Sequence, residues 1–167
     1  DRLGAPVFSA ASGTYHEPFD LVITTDPPDT TVYVTLDGSW PDPVANPDRT
    51  ITLDGPLRIS DRTDEPARLA LIDTTKPDDA LDVDWIPTWN QPITPIDTAT
   101  VVRARTEHGI DTTATYFVGH HPSPGDLPVI SLTLDDDFLF DHDTGIYIAG
   151  RTFENWLASE QFEPDPP

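Results

Sequence analysis

Two acidic loops near the C-terminal end hold the densest set of side chains that could bind a metal ion. Asp135 and Asp137 belong to a run of three aspartates, and Asp141 and Asp143 follow a few residues later. Hard cations such as Ca²⁺ take roughly six to eight oxygen ligands, often from acidic loops, so these four residues are candidate calcium ligands. The spacing departs from the EF-hand pattern, and a solvated acidic loop is the alternative. No other cofactor is predicted.

Three tryptophans, Trp40, Trp85 and Trp89, are the candidate contact residues for a carbohydrate or a protein partner. Their flat apolar rings could stack on sugar rings. Alternatively, they could pin the proline-rich stretch around Trp85 and Trp89 onto the rest of the fold, because tryptophan buries a large area. The sequence favours pinning.

Residues with catalytic potential occur without a catalytic pattern. With 30 acidic residues in the chain, carboxylate pairs arise by chance at any spacing and do not indicate a glycosidase. The sequence contains neither a nucleophile elbow nor a phosphate-binding glycine loop. Arg103 and Arg105 share one face of a predicted strand and are expected to pair with surface carboxylates. We therefore predict that this chain is not an enzyme by itself.

The net charge restricts the possible partners. The 167 residues carry 30 acidic and nine basic side chains, for a formal charge of -21. Such a chain repels phosphates and anionic lipid surfaces, which argues against nucleic acid and membranes. No apolar run approaches the ~20 residues that span a membrane. Abundant aspartate and a single lysine, Lys76, resemble the composition of halophile proteins, so we predict a folded, salt-adapted chain.

The strand pattern predicts an all-β fold. Nineteen prolines and nine glycines divide the chain into short segments, which disfavours a helical fold. Alternating apolar residues and β-branched runs predict strands at 19–25, 31–36, 57–59, 99–106 and 113–118. The last two strands form a hairpin across Glu107-His108-Gly109, and Asp37-Gly38-Ser39 forms a tight turn. Residues 60–98 are expected to form a long irregular insertion.

The C-terminal part shows a different pattern. Residues 119–126 are expected to form a linker. Pro128–Leu134 and residues 145–149 are predicted strands that pair with each other, and residues 151–162 have the apolar spacing of a short amphipathic helix. These elements are too few to fold alone, so we expect them to pack on the preceding domain or on a partner.

Two stretches resemble known families. Tyr33–Pro41, supported by Pro6–Ser9, Val101–Arg105 and Thr115–Val118, resembles the fibronectin-III-like, chitobiase C-terminal type domain. Leu127–Leu132 and Thr144–Gly150 are similar to the start of spore-coat CotH-family proteins. The resemblance implies an immunoglobulin/fibronectin-III-like β-sandwich over residues 1–118, with the insertion at about 60–98. It implies that residues 127–167 are the incomplete start of a CotH-like domain.

The resemblance also implies a secreted or cell-surface protein. Some CotH-family members are atypical protein kinases, but their nucleotide- and metal-binding residues lie downstream of the similar segment, so no catalytic residue is carried over. The leading prediction is a non-catalytic extracellular module that contacts protein or other copies of itself. The alternatives are a carbohydrate-binding accessory module and the N-terminal fragment of an atypical kinase.

Overall fold

The computed structural model of the chain describes residues 4–74, 89–94, 96, 98–119 and 128–159. Within these residues short strands predominate over helices, which confirms the predicted all-β class. The strands are β1 (Val7–Phe8), β2 (Gly13–Tyr15), β3 (Phe19–Leu21), β4 (Ile23–Thr24), β5 (Val32–Thr35), β6 (Ile51–Thr52), β7 (Leu57–Ile59), β8 (Thr100–Thr106) and β9 (Asp111–Val118). The helices are a 3-10 turn (Arg68–Leu71), α1 (Asp136–Phe140) and α2 (Arg151–Leu157).

Inter-residue contacts divide the chain into two compact units. The first is drawn from residues 1–66 and 95–133, and it contains all the strands of the described residues. The second is drawn from residues 67–94 and 134–167, and it contains the 3-10 turn and both α-helices. Residues 67–94 of the predicted insertion and residues 134–167 of the predicted C-terminal segment therefore belong together in the second unit, whereas residues 60–66, 95–98 and 127–133 belong to the first.

A five-stranded sheet forms the larger part of the first unit, in the order β2-β9-β8-β5-β6. Strands β8 and β9 form the predicted antiparallel hairpin, and Gly109 allows its turn with a φ of +85°. Strand β5 runs antiparallel to both β8 and β6, whereas β2 runs parallel to β9. The hairpin prediction and the prediction of a strand at Leu57–Ile59 are both confirmed.

Two small antiparallel sheets, β1-β4 and β3-β7, complete the first unit. The prediction of a single strand at residues 19–25 is wrong in one respect, because the strand is interrupted at Val22. There the Val22 N–H donates to the Ser9 hydroxyl at 3.0 Å, and the Val22 carbonyl accepts from the Ser9 N–H at 2.9 Å. Each half of the predicted strand consequently pairs with a different neighbour.

The core is a cluster of buried side chains from the five-stranded sheet and the β3-β7 sheet. Leu21 and Ile59 contribute from the β3-β7 sheet and are fully buried. From the five-stranded sheet the core takes Val32, Val34, Val102, Ala104, Ala114, Tyr116 and Val118. The Tyr116 hydroxyl donates to the Ala10 carbonyl at 2.9 Å. Burial, with a smaller contribution from the Tyr15 phenol, raises the pKa of Tyr116 to about 12.

The C-terminal strand predictions are wrong within the described residues. Pro128–Leu134 has no regular secondary structure and belongs to no sheet, and residues 146–148 form a bend. The N–H groups of Ile146 and Tyr147 donate to the Phe138 and Leu139 carbonyls of α1, at 3.0 and 2.9 Å, so they are not available for strand pairing. The predicted helix is confirmed as α2, but it ends at Leu157, with Ala158 as its C-cap residue, before the predicted end at residue 162.

Several predicted segments lie partly outside the described residues. These are 75–88, 95 and 97 of the insertion, and 120–126 of the linker. In the described part of the insertion, the Arg68–Leu71 turn is the one regular element. None of the described helices is long and apolar enough to cross a membrane.

Candidate functional site

The outer face of the five-stranded sheet, the face opposite the core, is the candidate site. Residues of β8 alternate between buried and half-buried, so Val101, Arg103 and Arg105 point away from the core. Tyr33 on β5 lies in register with Arg105 and between two buried valines. The pleat of two neighbouring strands thus places two arginines and a tyrosine on one rigid surface.

The turn after β5 returns Trp40 to this outer face. Gly38 has a φ of +80°, a left-handed conformation that glycine adopts without strain. The Asp37 carboxylate accepts hydrogen bonds from the Ser39 N–H at 3.1 Å and from the Ser39 hydroxyl at 2.6 Å. Arg49 forms an ion pair with the other Asp37 oxygen at 3.0 Å. The predicted tight turn is confirmed, and it fixes the position of Trp40.

Trp40 packs against both arginines. The Arg103 guanidinium carbon lies 4.5 Å from the centroid of the Trp40 ring. The Arg105 guanidinium carbon lies 5.1 Å from the same centroid and 6.0 Å from the centroid of the Tyr33 ring. Such cation–π contacts are worth about 0.5–1 kcal/mol each at exposed sites. We call these four side chains the aromatic–arginine stack.

The two arginines of the stack differ in their ion pairing. Arg103 donates from Nε to a carboxylate oxygen of Asp111 at 3.0 Å, which confirms the expected pairing for this residue. Arg105 makes no ion pair with a described carboxylate, and its buried Nε has no hydrogen-bond partner among the described residues. Hydrogen bonds from the Ala45 and Val44 N–H groups, and to a smaller extent the charge of Arg105, lower the pKa of Asp42, so Arg105 has a carboxylate nearby but no direct ion pair with it.

A segment without regular secondary structure, Pro128–Thr133, crosses the same outer face. The Ser131 and Thr115 hydroxyls form a hydrogen bond of 2.7 Å. The segment also explains why Thr115 is buried although it points away from the core. A Cβ placed on Gly38 would lie 2.9 Å from the Thr133 methyl group, so the segment ends beside the Trp40 turn. It leaves three apolar side chains largely exposed: Val129 (70%), Ile130 (84%) and Leu132 (76%).

The three tryptophans predicted to contact a partner lie in different parts of the molecule. Trp40 lies on the outer face in the first unit and is 36% exposed. Trp89 is half-buried in the second unit, and Trp85 lies outside the described residues. Two guanidinium groups already contact the Trp40 ring, which leaves less of its surface for a sugar. A joint platform of the three tryptophans stays a prediction.

The four aspartates predicted to bind calcium lie around α1 in the second unit. Asp135 is the N-cap residue of α1 and Asp137 lies in its first turn. One oxygen of Asp141 accepts hydrogen bonds from the Asp143 N–H, the Thr144 N–H and the Thr144 hydroxyl, at 2.9, 2.9 and 2.8 Å. These bonds, above all that from the Thr144 hydroxyl, lower the pKa of Asp141. Among the described residues no three His, Asp or Glu side chains are grouped closely enough to hold a metal ion.

A chain of ion pairs connects this loop with α2. Arg151 Nε lies 2.7 Å from an Asp143 oxygen, and His142 Nδ1 lies 3.3 Å from the same oxygen. His142 Nε2 lies 2.9 Å from a Glu154 oxygen. Both of these atoms are buried, and their contact is an ion pair when His142 is protonated. No sequence pattern indicates the pairing of His142 with Glu154, because the intervening turn and helix create it.

We expect this network to lose stability as the pH rises. The hydrogen bond to Glu154, aided by the charges of Glu154 and Asp143, raises the pKa of His142 above 6.5. Since protonation favours the folded state, the contribution is complete below pH 6.5 and is lost as the pH rises through the folded-state pKa. An NMR titration of the imidazole should show the raised pKa, and Glu154→Gln should move it back towards 6.5. The same midpoint in both proteins would contradict the assignment.

Comparison with known proteins identifies no relative of this chain. No family model, curated protein or solved structure matches this chain. What the chain does must therefore be inferred from its own residues, and above all from the outer face.

Proposed function

We propose that this chain is a non-catalytic interaction module whose outer face binds a second copy of the chain. We further propose that the first unit is a sandwich of the immunoglobulin or fibronectin-III type. The consecutive strands β1 and β2 support this type, because β1 pairs with β4 while β2 joins the five-stranded sheet through β9. A hairpin-containing sheet that faces smaller antiparallel pairs across one core is also typical of such sandwiches.

The observation that carries the proposal is the aromatic–arginine stack. Tryptophan, tyrosine and arginine are the residue types that dominate the binding energy of protein interfaces. Strands β5 and β8 and the Gly38 turn hold the stack in place, which reduces the entropy lost on binding. Arg105 makes no direct ion pair with a described carboxylate; its charge acts on Asp42 only from a greater distance, and its buried Nε has no hydrogen-bond partner among the described residues. A carboxylate from a partner would complete the stack.

A second copy of the chain suits this surface because it offers many exposed carboxylates. The neighbouring Pro128–Thr133 segment supplies apolar area in its exposed valine, isoleucine and leucine side chains. Two molecules of charge -21 repel each other in dilute salt. At 1 M salt the Debye length falls to about 3 Å, whereas an ion pair buried in the interface is screened much less. The proposed contact is therefore one that forms at high salt.

The setting that fits this role is a secreted or cell-surface protein of the CotH type. The sandwich would position or link domains there, as the similarity to chitobiase C-terminal type modules implies. Any kinase activity of such a protein would reside in residues outside this chain. The low basic content and high aspartate content also support a salt-rich environment.

Sedimentation velocity in multimolar KCl tests the role of the outer face. We expect the unaltered chain to self-associate and Arg105→Ala to weaken the association at least about tenfold, as an interface arginine should. Arg58→Ala is the matched control. Arg58 lies on β7 in the other layer and pairs with Asp20 at 3.1 Å, and its removal changes the net charge by the same amount. This control should associate like the unaltered chain.

Trp40 provides a second variant at the same surface. Trp40→Ala should also weaken association at least about tenfold, whereas Trp40→Phe should retain part of it by keeping a ring beside the arginines. Equal weakening by Arg58→Ala and Arg105→Ala would assign the effect to net charge. Undiminished association of both Arg105→Ala and Trp40→Ala would exclude the outer face as the interface.

A further inference from the structure

A cavity of about 420 Å³ lies in the second unit, between the turn after α1 and helix α2. Its volume lies within the range of roughly 300–1,000 Å³ that small-molecule sites occupy. The side chains that line it combine one ion-pair chain with two aromatic rings: His142, Asp143, Arg151, Thr152, Phe153 and Trp156. The cavity belongs entirely to residues 142–156, so it is independent of the outer face of the first unit.

The charged groups at the cavity form two sets of pairs, and these balance one another when His142 is protonated. Arg151 pairs with Asp143 at 2.7 Å, and His142 lies between Asp143 and Glu154 at 3.3 and 2.9 Å. An ionic ligand would have to break these pairs or bring an uncompensated charge into the cavity. A neutral ligand with several hydroxyl groups would instead use the remaining donors of Arg151, the second oxygen of Asp143 and the Thr152 hydroxyl.

The aromatic side chains give the cavity a flat apolar wall. The rings of Phe153 and Trp156 are stacked, with centroids 5.9 Å apart and an interplanar angle of 26°. Trp156 is 46% exposed, although large apolar side chains are usually buried. A flat ring beside planar hydrogen-bonding groups matches a molecule with one apolar face and a rim of hydroxyls.

We propose that this cavity binds a neutral sugar ring. The C–H face of the sugar would pack on Trp156, and its hydroxyls would bond to Arg151, Asp143 and Thr152. A net charge of -21 on the chain also disfavours anionic sugars as ligands. This site differs from the tryptophans singled out in the sequence, because its aromatic wall comes from α2.

NMR of the full chain in molar KCl tests the proposal through the indole N–H signal of Trp156, assigned with Trp156→Phe. The probes are glucose, galactose, mannose and N-acetylglucosamine, with glucuronate as the charged comparison. We expect at least one neutral sugar to shift this signal saturably, and Arg151→Ala to weaken binding at least tenfold. Arg151→Lys should also weaken it, because lysine keeps the charge but loses the planar fork.

Trp40→Ala separates this site from the proposed function. It should leave sugar binding unchanged, because Trp40 belongs to the first unit. No saturable shift with any neutral sugar would overturn the proposal, and so would binding of glucuronate alone. Unchanged affinity in Arg151→Ala, with the α2 amide signals intact, would also overturn it. None of these results bears on self-association, so the two proposals can fail separately.

Discussion

Replacing Tyr116 with alanine is expected to lower the free energy of unfolding of the first unit by about 3–5 kcal/mol, the cost typical of removing a large aromatic side chain from a core. The Tyr116 ring is fully buried and makes edge contacts with Tyr15 and Phe19, at centroid distances of 5.9 and 5.5 Å. Its hydroxyl bonds to the Ala10 carbonyl, in the segment that joins β1 to β2. The substitution therefore removes a contact between the two layers as well as core volume.

Tyr116→Phe is the matched control for this prediction. It keeps the ring and removes only the hydroxyl, so it should cost about 0.5–1.5 kcal/mol. Neither substitution changes the net charge at neutral pH, which means that urea unfolding of all three proteins can be compared at one salt concentration. Similar losses in Tyr116→Ala and Tyr116→Phe would contradict the placement of this ring at the centre of the core.

Replacing Gly38 with alanine is expected to destabilise the first unit by about 2–5 kcal/mol. A left-handed φ costs an alanine about 1–2 kcal/mol, and Gly38 has a φ of +80°. In addition, the new Cβ would lie 2.9 Å from methyl groups of both Val101 and Thr133. Overpacking of this kind typically costs a further ~1–3 kcal/mol. The same collision would move the Trp40 turn and the Pro128–Thr133 segment.

Gly109→Ala isolates the packing part of that cost. Gly109 has a φ of +85°, yet a Cβ there would meet nothing within 4 Å. It should therefore show the conformational cost alone, about 1–2 kcal/mol. The difference between the two variants in urea unfolding measures the contact around Gly38. Equal losses would mean that the Thr133 segment does not lie against this turn.

Local patterns were sufficient to predict the hairpin, the Gly38 turn and the Leu57–Ile59 strand. In β8 the alternation of side chains is visible in the sequence, and it places Arg103 and Arg105 on one face. The contact partners of these arginines were harder to predict from the sequence. Arg103 pairs with Asp111 across the hairpin, as local reasoning expects, but the position of Trp40 depends on a turn that folds back onto the sheet.

Segments whose pairing depends on distant residues could not be predicted. Pro128–Leu134 has a strong strand composition, yet its backbone joins no sheet in the described residues. Strand propensity mainly reflects the fit of a side chain to a half-buried surface, so it does not specify a neighbour. Helix α1 is too short for periodicity to identify, and the link between His142 and Glu154 exists only after α1 and α2 have formed.

Sedimentation velocity of the unaltered chain across a salt series, with circular dichroism to confirm folding at each step, tests the central claim most directly. Repulsion between molecules of charge -21 acts over about 10 Å at 0.1 M salt and about 3 Å at 1 M. We predict a monomer at the lowest salt that supports folding and concentration-dependent association at multimolar salt, which Arg105→Ala weakens at least about tenfold. A folded monomer at every salt concentration would contradict the proposed self-association.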